Sequence, residues 1–239
     1  MASFNEENLT LNLAHISEKL DIPKPTVSRI ISALLEEGFV EKVPKSTKYR
    51  LGLKCYRLGL VAKKSGIVRD VAYEHMLDLR DRFNETVNLY VRDGKYRIVY
   101  EQVECFQNLK RSIVIGERFP LYAGAAGRCF LAYMKEHEIK KVLEEMVRVT
   151  DNTIMDPEIV RSRLEAVRQN GYEVSVSERE AGISSVAAPI FMPRGQEEMV
   201  IVLSGPSFRF SDAVIGEMCE EVKRVSVIIS ERLGIMMRS

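Results

Sequence analysis

The sequence predicts an α+β protein in two parts, a small helical segment with a β-hairpin and a larger mixed α/β domain, joined by a linker helix. Three observations predict this. Apolar residues recur at helical and then strand spacing in the first 65 residues, a basic stretch at 63–66 interrupts the apolar pattern, and strand and helix patterns mix beyond it. A chain of 239 residues allows one large domain or two small ones. We expect domains at residues 1–65 and 66–239.

The composition is that of an ordinary globular protein, with 46% hydrophobic and 29% charged residues. No uncharged apolar run approaches the ~18 residues of a membrane span. Residues 1–7 have neither the basic nor the apolar region of a signal peptide. The four cysteines lie far apart, which favours reduced thiols over disulfides or a zinc site. We expect a cytoplasmic protein that does not contact membranes.

The near-neutral charge of the chain conceals an uneven distribution. There are 35 basic and 34 acidic residues, a formal net charge of +1. Residues 1–65 contain 11 basic and 7 acidic residues and residues 66–239 contain 24 and 27, so the net charges are +4 and −3. A basic segment is typical of a surface that meets nucleic acid. Charge alone leaves a merely solvated basic surface equally open.

The N-terminal pattern indicates two helices and a hairpin. Apolar spacing over 13–20 and 27–35 predicts the helices, with a turn at 21–23 between them. Pro25 suits the first turn of the second helix and Gly38 its end. Strand patterns at 39–43 and 48–51 then flank a turn at 44–47. This order is that of a winged helix-turn-helix.

In such a fold the second helix presents side chains to the major groove and the wing lies near phosphates. Arginine binds the guanine edge with two nitrogens, so Arg29 is the candidate base contact. The residues predicted to contact DNA are Lys24, Pro25, Thr26, Ser28, Arg29, Ser32, Lys45, Lys48 and Arg50. The alternative is a helical hairpin whose polar face is only hydrated. Residues 53–84 predict the linker helix, which either transmits a signal or acts as a passive spacer.

The remaining pattern predicts an α/β domain. The Asp93-Gly94 pair between two strand patterns is a strong hairpin signal. A sheet with helices on its faces and an internal pocket is a common sensor design. The predicted strands are 86–92, 95–101, a possible third at 109–114, 172–176, 186–191 and 200–204. The predicted helices are 124–134, 137–146, 157–170 and 211–233.

Two stretches of this domain are candidates for ligand contact. Residues 121–128 are small and precede a helix, whose free N–H groups attract carboxylate or phosphate. On the residues alone, tight helix–sheet packing explains the same pattern better. Residues 182–191 form a strand entered through a polar turn, and Ser185 and Ser204 could point into one cavity. Hydroxyl groups that satisfy one another are the alternative.

Three patches in this order and spacing resemble the IclR family of bacterial transcriptional regulators over nearly the whole chain. The first comprises 20–29 with 36–40 and 49–52, the second 123–128, and the third 171–172, Glu178, Gly182, 187–191 and 203–206. The resemblance implies a winged helix, a GAF-like effector domain, and dimers or tetramers on palindromic operators. It also implies small organic, aromatic or sugar acids as effectors.

The family's effector site maps onto this chain position by position. The resemblance implies contacts from Gly124, Ala125, Ala126, Ser175, Ser185, Val202 and Ser204. An acidic residue is common in the family where Ser175 stands, and a cysteine where Ser185 stands. We therefore expect a less acidic, slightly more apolar pocket that holds a carboxylate with some apolar body. Arg128 either assists or points to solvent, and Glu178 is expected to be structural.

A second departure from the family concerns the DNA-binding part. Family members carry a full amphipathic helix before the position of Thr10, whereas only residues 1–9 precede it here. Either the start is truncated or the first helix is vestigial, and either reading puts the DNA affinity or the dimer strength of this chain in question.

Enzymatic patterns are weak. The three histidines are scattered, and no G-x-S-x-G, H-E-x-x-H or Walker motif is present. We predict a non-enzymatic regulator, expected to be a repressor, with operator DNA and a small carboxylic acid as partners and no cofactor or metal. The alternatives are a sensor that acts through protein partners and a small-molecule enzyme built on the α/β domain.

Overall fold

The computed structural model describes residues 3–4, 8–64, 67–192 and 196–236. The chain forms two compact units, Met1–Gly66 and Ile67–Ser239. The elements of the first unit are β1 (Leu11–Asn12), α1 (Leu13–Leu20), α2 (Lys24–Glu36), β2 (Val40–Lys42), β3 (Lys48–Leu51) and α3 (Leu53–Lys64).

The first unit is a winged helix-turn-helix, as the sequence predicts. Gly38, with a φ of 72°, ends α2, and the amide of Phe39 donates to the carbonyl of Leu34, which turns the chain into β2. The sheet order is β1-β3-β2, all antiparallel. Ile16 and Val27 are buried in a small core with Leu11 of β1. The sequence did not predict β1. The expectation about a first helix falls partly on residues 1–2 and 5–7, which lie outside the described residues.

The second unit is an α/β domain. Its elements are α4 (Ile67–Phe83), β4 (Thr86–Asp93), β5 (Tyr96–Val103), β6 (Arg118–Pro120), α5 (Ala125–Leu131), α6 (Glu136–Glu144), α7 (Pro157–Asn170), β7 (Glu173–Val176), β8 (Ile183–Met192), β9 (Gln196–Pro206) and α8 (Asp212–Met236). The predicted linker helix is found as α3 and α4, in different units. Residues 65–66 between them lie outside the described residues.

A six-stranded antiparallel sheet, in the order β6-β5-β4-β9-β8-β7, organises this unit. Helices α4 and α8 pack on one face, and α5, α6 and α7 on the other. Side chains alternate between the faces. In β9, Ile201 and Leu203 join the first core, whereas Val200 and Val202 join the second. This alternation selects the residues that face α5.

The predicted hairpin around Gly94 is confirmed, with Asp93 opposite Tyr96. The predicted strand at 109–114 is wrong. Gly116, with a φ of 96°, donates to the carbonyl of Val99 and turns the chain. Pairing with β5 therefore starts only after that turn, and the edge strand is β6.

Candidate nucleic-acid interface and ligand pocket

Helix α2 turns one face to the core and the other to solvent. Val27 and Ile31 are 2% and 5% exposed. The predicted DNA-contacting residues of this helix are all exposed, namely Lys24, Pro25, Thr26, Ser28, Arg29 and Ser32. They form one accessible surface because the helical repeat brings them together on the outer side.

The N-terminus of α2 favours an anion. It has no side-chain cap at Pro23 and no acidic residue in its first turn. The positive end of the helix dipole is therefore not compensated locally, and the exposed Lys24 adds a full charge beside it. Phosphate is the anion that double-stranded DNA offers at such a point.

The three wing residues predicted to contact DNA are exposed and have different surroundings. Lys45 and Lys48 are exposed at the turn between β2 and β3. Arg50 is instead bound to Glu41, to which its Nε and Nη2 donate over 3.2 and 3.0 Å. The hydrogen bond from Arg50 holds the pKa of Glu41 below its usual value. An ion pair this exposed contributes little stability, so it does not prevent Arg50 from exchanging to a phosphate.

In the second unit, three serines form a row across the sheet. Ser175 of β7 lies opposite Ser185 of β8, which in turn lies opposite Ser204 of β9. All three occupy the face toward α5. Ser204 accepts a hydrogen bond of 3.3 Å from Nδ2 of Asn88. Within the described residues no hydrogen bond joins the three hydroxyl groups to one another, so they are not a self-satisfied set.

This row lines a cavity between the sheet and the start of α5. The empty space is about 390 Å³, part of it open to solvent. All seven residues predicted for the effector site lie on its wall: Gly124, Ala125, Ala126, Ser175, Ser185, Val202 and Ser204. The structure thus brings together four segments separated by up to 80 positions in sequence.

The same wall contains charged residues that the sequence did not single out. Arg97 of β5, Arg111 and Arg179 line it together with Glu180. Nη1 of Arg111 lies 2.5 Å from Oε2 of Glu180, and the guanidinium of Arg179 lies 4.0 Å from the centre of the Phe119 ring. The wall thus includes three arginines and one carboxylate that the expectation of a less acidic, slightly more apolar pocket did not include. The one sequence signal for Arg97 was strand alternation, because Arg97 lies two positions before the apolar Val99 and therefore points to the same face of the sheet.

Arg97 is the most deeply placed of these cations. It is 2% exposed and donates through Nη1 to the carbonyl of Pro120, while its Nε has no hydrogen-bond partner among the described residues. Burial lowers the pKa of Arg97 to about 10.

Arg128 neither assists in this pocket nor points to solvent, so both expectations for it are wrong. It is fully buried and pairs with Glu178 at 2.5 Å and with Glu173 at 3.2 Å. Burial alone would lower the pKa of Arg128, but the hydrogen bonds that it donates to Glu178 and the charges of the two carboxylates raise it above its usual value. Glu178 is structural, as expected, because it anchors the turn between β7 and β8.

Gly127 supports the packing interpretation for part of the small-residue stretch. A Cβ atom there would lie 2.0 Å from the carbonyl oxygen of Leu121. Gly124 differs, because its φ of 84° favours glycine and it faces Arg97 and Ser175. The stretch thus combines close packing with a pocket wall.

No helix in the described ranges is long and apolar enough to cross a membrane. Among the described residues no group of three histidine, cysteine or acidic side chains is placed to hold a metal ion.

A winged helix with a basic exposed surface, beside a separate domain with a small charged pocket, defines a DNA-binding regulator. Sequence comparison agrees. The model of the IclR helix-turn-helix domain matches residues 1–51, and that of the bacterial transcriptional regulator IclR C-terminal domain matches residues 61–231. The chain belongs to the IclR family of bacterial transcriptional regulators.

Individual relatives extend over nearly the whole chain. It is 33% identical to the HTH-type transcriptional regulator KipR of Bacillus subtilis, over 94% of this chain and 90% of that protein. An IclR transcriptional regulator from Silicibacter sp. TM1040 superimposes with a TM-score of 0.88 at 25% identity, covering 98% and 92% of the two chains. An IclR homologue from Microbacterium hydrocarbonoxydans, crystallised with 4-hydroxybenzoate, has the same fold, with a TM-score of 0.74 at 22% identity and coverage of 97% and 95%.

Proposed function

We propose that this transcriptional regulator binds operator DNA through α2 and the wing, and that a small carboxylic acid in the pocket of the second unit changes its operator affinity. The observation that supports this best is the convergence of the seven predicted effector residues and three arginines on one cavity. Carboxylate is the common metabolite group that guanidinium groups and serine hydroxyls recognise together.

The small size of the cavity, about 390 Å³ of empty space, favours a compact acid. The Microbacterium homologue was crystallised with 4-hydroxybenzoate, which supports a carboxylate with an apolar body as the kind of ligand. We expect a cytoplasmic homodimer or homotetramer that acts as a repressor without enzymatic turnover. A coupling free energy of about 1–3 kcal/mol between ligand and DNA would change operator occupancy roughly five- to 150-fold.

The test combines two measurements on the full chain. Thermal-shift screening with aliphatic, aromatic and sugar acids identifies a ligand, and gel shifts on DNA from upstream of the chain's own gene follow operator binding. We expect one class of acid to raise the melting temperature and to alter the gel shift. Ligand binding without any DNA binding would favour the alternative of a sensor that acts through protein partners. Chemical conversion of the acid would favour an enzyme.

A further inference from the structure

Three arginines are buried among the described residues, and their partners differ. Arg128 has two carboxylates, from Glu173 and Glu178. Arg111 has one, from Glu180. Arg97, in the part of the chain that the structure describes, has none and donates only to the carbonyl of Pro120. A buried cation without an anion is costly, and proteins ordinarily pair it or remove it.

The unused part of Arg97 is the edge that binds carboxylates elsewhere in this chain. Nε and Nη2 lie on the same side of a guanidinium and form a fork. Arg50 uses this edge to hold Glu41, and Arg224 uses it to hold Glu221 at 3.0 and 2.5 Å. Nε of Arg97 is buried, and no residue within the described ranges forms a hydrogen bond with it. A Cβ atom on Gly124 would lie 3.8 Å from Nη2 of Arg97, so Nη2 lies beside the backbone that forms the pocket wall.

Aromatic rings hold the Arg97 side chain but do not neutralise it. The guanidinium carbon lies 5.6 Å from the ring centres of both Tyr90 and Phe119. Such contacts favour a cation modestly and fix the plane of the group. The result is a positioned, desolvated guanidinium on the cavity wall. Its Nη2 and the hydroxyl of Ser175 both lie 3.8 Å from where a Cβ atom on Gly124 would be.

We propose that Arg97 is the anchor for the carboxylate of the effector, bound along its Nε–Nη2 edge. This inference rests on the proposed function and adds the residue that selects for the anionic group. The serines then recognise the remainder of the ligand. Hydrogen bonds to a charged partner in a buried site account for roughly a ten- to hundredfold difference in affinity.

The experiment uses the full chain with pyruvate, 4-hydroxybenzoate and gluconate, and with the neutral amide of the acid that shifts the melting temperature most. Dissociation constants are measured by calorimetry for the wild type, Arg97→Met and Arg118→Met. Arg118 is a matched control, because it is half-exposed on the neighbouring strand and pairs with Asp93. Sodium chloride at equal ionic strength controls for a general salt effect.

We expect the amide to bind the wild type at least tenfold more weakly than the acid. The affinity for the acid should fall at least tenfold in Arg97→Met and should not change in Arg118→Met. Without ligand, Arg97→Met should melt within a few degrees of the wild type, because it removes an unpaired buried charge. If Arg97 has only a structural role, Arg97→Met should instead be clearly less stable than the wild type. The wild type should then bind the acid and its amide with nearly equal affinity.

Equal binding of the acid by the wild type and a folded Arg97→Met would overturn the anchor while leaving the proposed function in place. If Arg97→Met does not fold, the test is the comparison of the acid with its amide on the wild type. Equal affinities for the two would overturn the inference. Failure of all three acids to bind the wild type would count against the proposed function itself, which is a distinguishable result.

Discussion

Nη1 of Arg128 in α5 lies 2.5 Å from Oε2 of Glu178 in the turn between β7 and β8, and both side chains are buried. The next two residues of that turn, Arg179 and Glu180, line the pocket. The ion pair therefore ties the helix that forms one wall of the pocket to the turn that forms another. Loss of either partner should disturb both stability and ligand binding.

Arg128→Met should lower the free energy of unfolding by about 3–5 kcal/mol, because it leaves Glu178 buried and unpaired. Urea denaturation followed by circular dichroism measures this. The double replacement with Glu178→Gln should recover part of the loss. Arg224→Met breaks an exposed pair with Glu221 and should cost less than about 1 kcal/mol. Similar losses for Arg128→Met and Arg224→Met would show that the buried pair has no special structural role.

Arg29→Ala should reduce operator binding by about 1–3 kcal/mol, and the loss should disappear when one operator base pair is changed. This follows if the exposed Arg29 reads a guanine from the outer face of α2. Competition gel shifts on a set of operator variants measure it, with Arg118→Ala as the control in the other unit. A uniform loss on every operator sequence would make Arg29 a phosphate contact.

Lys48→Ala should reduce the slope of log affinity against log salt concentration by about one unit. The side chain is exposed on the wing and would release one counterion on meeting a phosphate. Fluorescence anisotropy with labelled operator DNA across a salt series measures the slope. Lys140→Ala, at an exposed position of α6, should leave it unchanged. An unchanged slope for Lys48→Ala would remove the wing from the DNA contact.

Gly124→Ala should destabilise the second unit by about 1–3 kcal/mol and weaken ligand binding, because its φ of 84° suits only glycine and the added methyl faces Arg97. Gly216→Ala is the matched control. Gly216 lies in α8 with open space around its Cβ position, so alanine there should stabilise by about 0.5–1 kcal/mol. Thermal melting with and without ligand gives both quantities. An unaltered ligand affinity in Gly124→Ala would place the acid elsewhere.

Local signals in the chain were sufficient for most elements. The Asp156-Pro157 start and Gly171 end of α7 are found as predicted, with Asp156 accepting from the amide of Glu158 and Gly171 at a φ of 78°. The hairpin at Gly94 is likewise confirmed. These features depend on residues within a few positions of one another, so no distant contact is needed to predict them. The prediction of a strand at 109–114 was wrong because it depended on which segment of the chain would pair with the edge of β5. That segment is Arg118–Pro120.

The residues of the candidate sites likewise divide into those that the sequence predicts and those that only the tertiary structure identifies. Exposure of the predicted DNA-contacting residues follows from helical periodicity, which is a property of the sequence. The serine row also follows from its strands, once their register is known. Arg97 and Arg128 are different, because both are arginines beside small or apolar neighbours. In the folded chain Arg128 binds two carboxylates, whereas Arg97 lines a cavity. The difference arises from contacts between residues tens of positions apart in sequence.

The order of helices, hairpin and strands, the uneven charge and the family motifs can thus be obtained from the residues alone, since each is local or additive along the chain. The pairing of buried charges is not local. It depends on which strands become neighbours and on how closely α5 approaches the sheet, and the low polarity of that interior gives each unpaired group a large effect. The positive pocket is therefore a product of the tertiary fold.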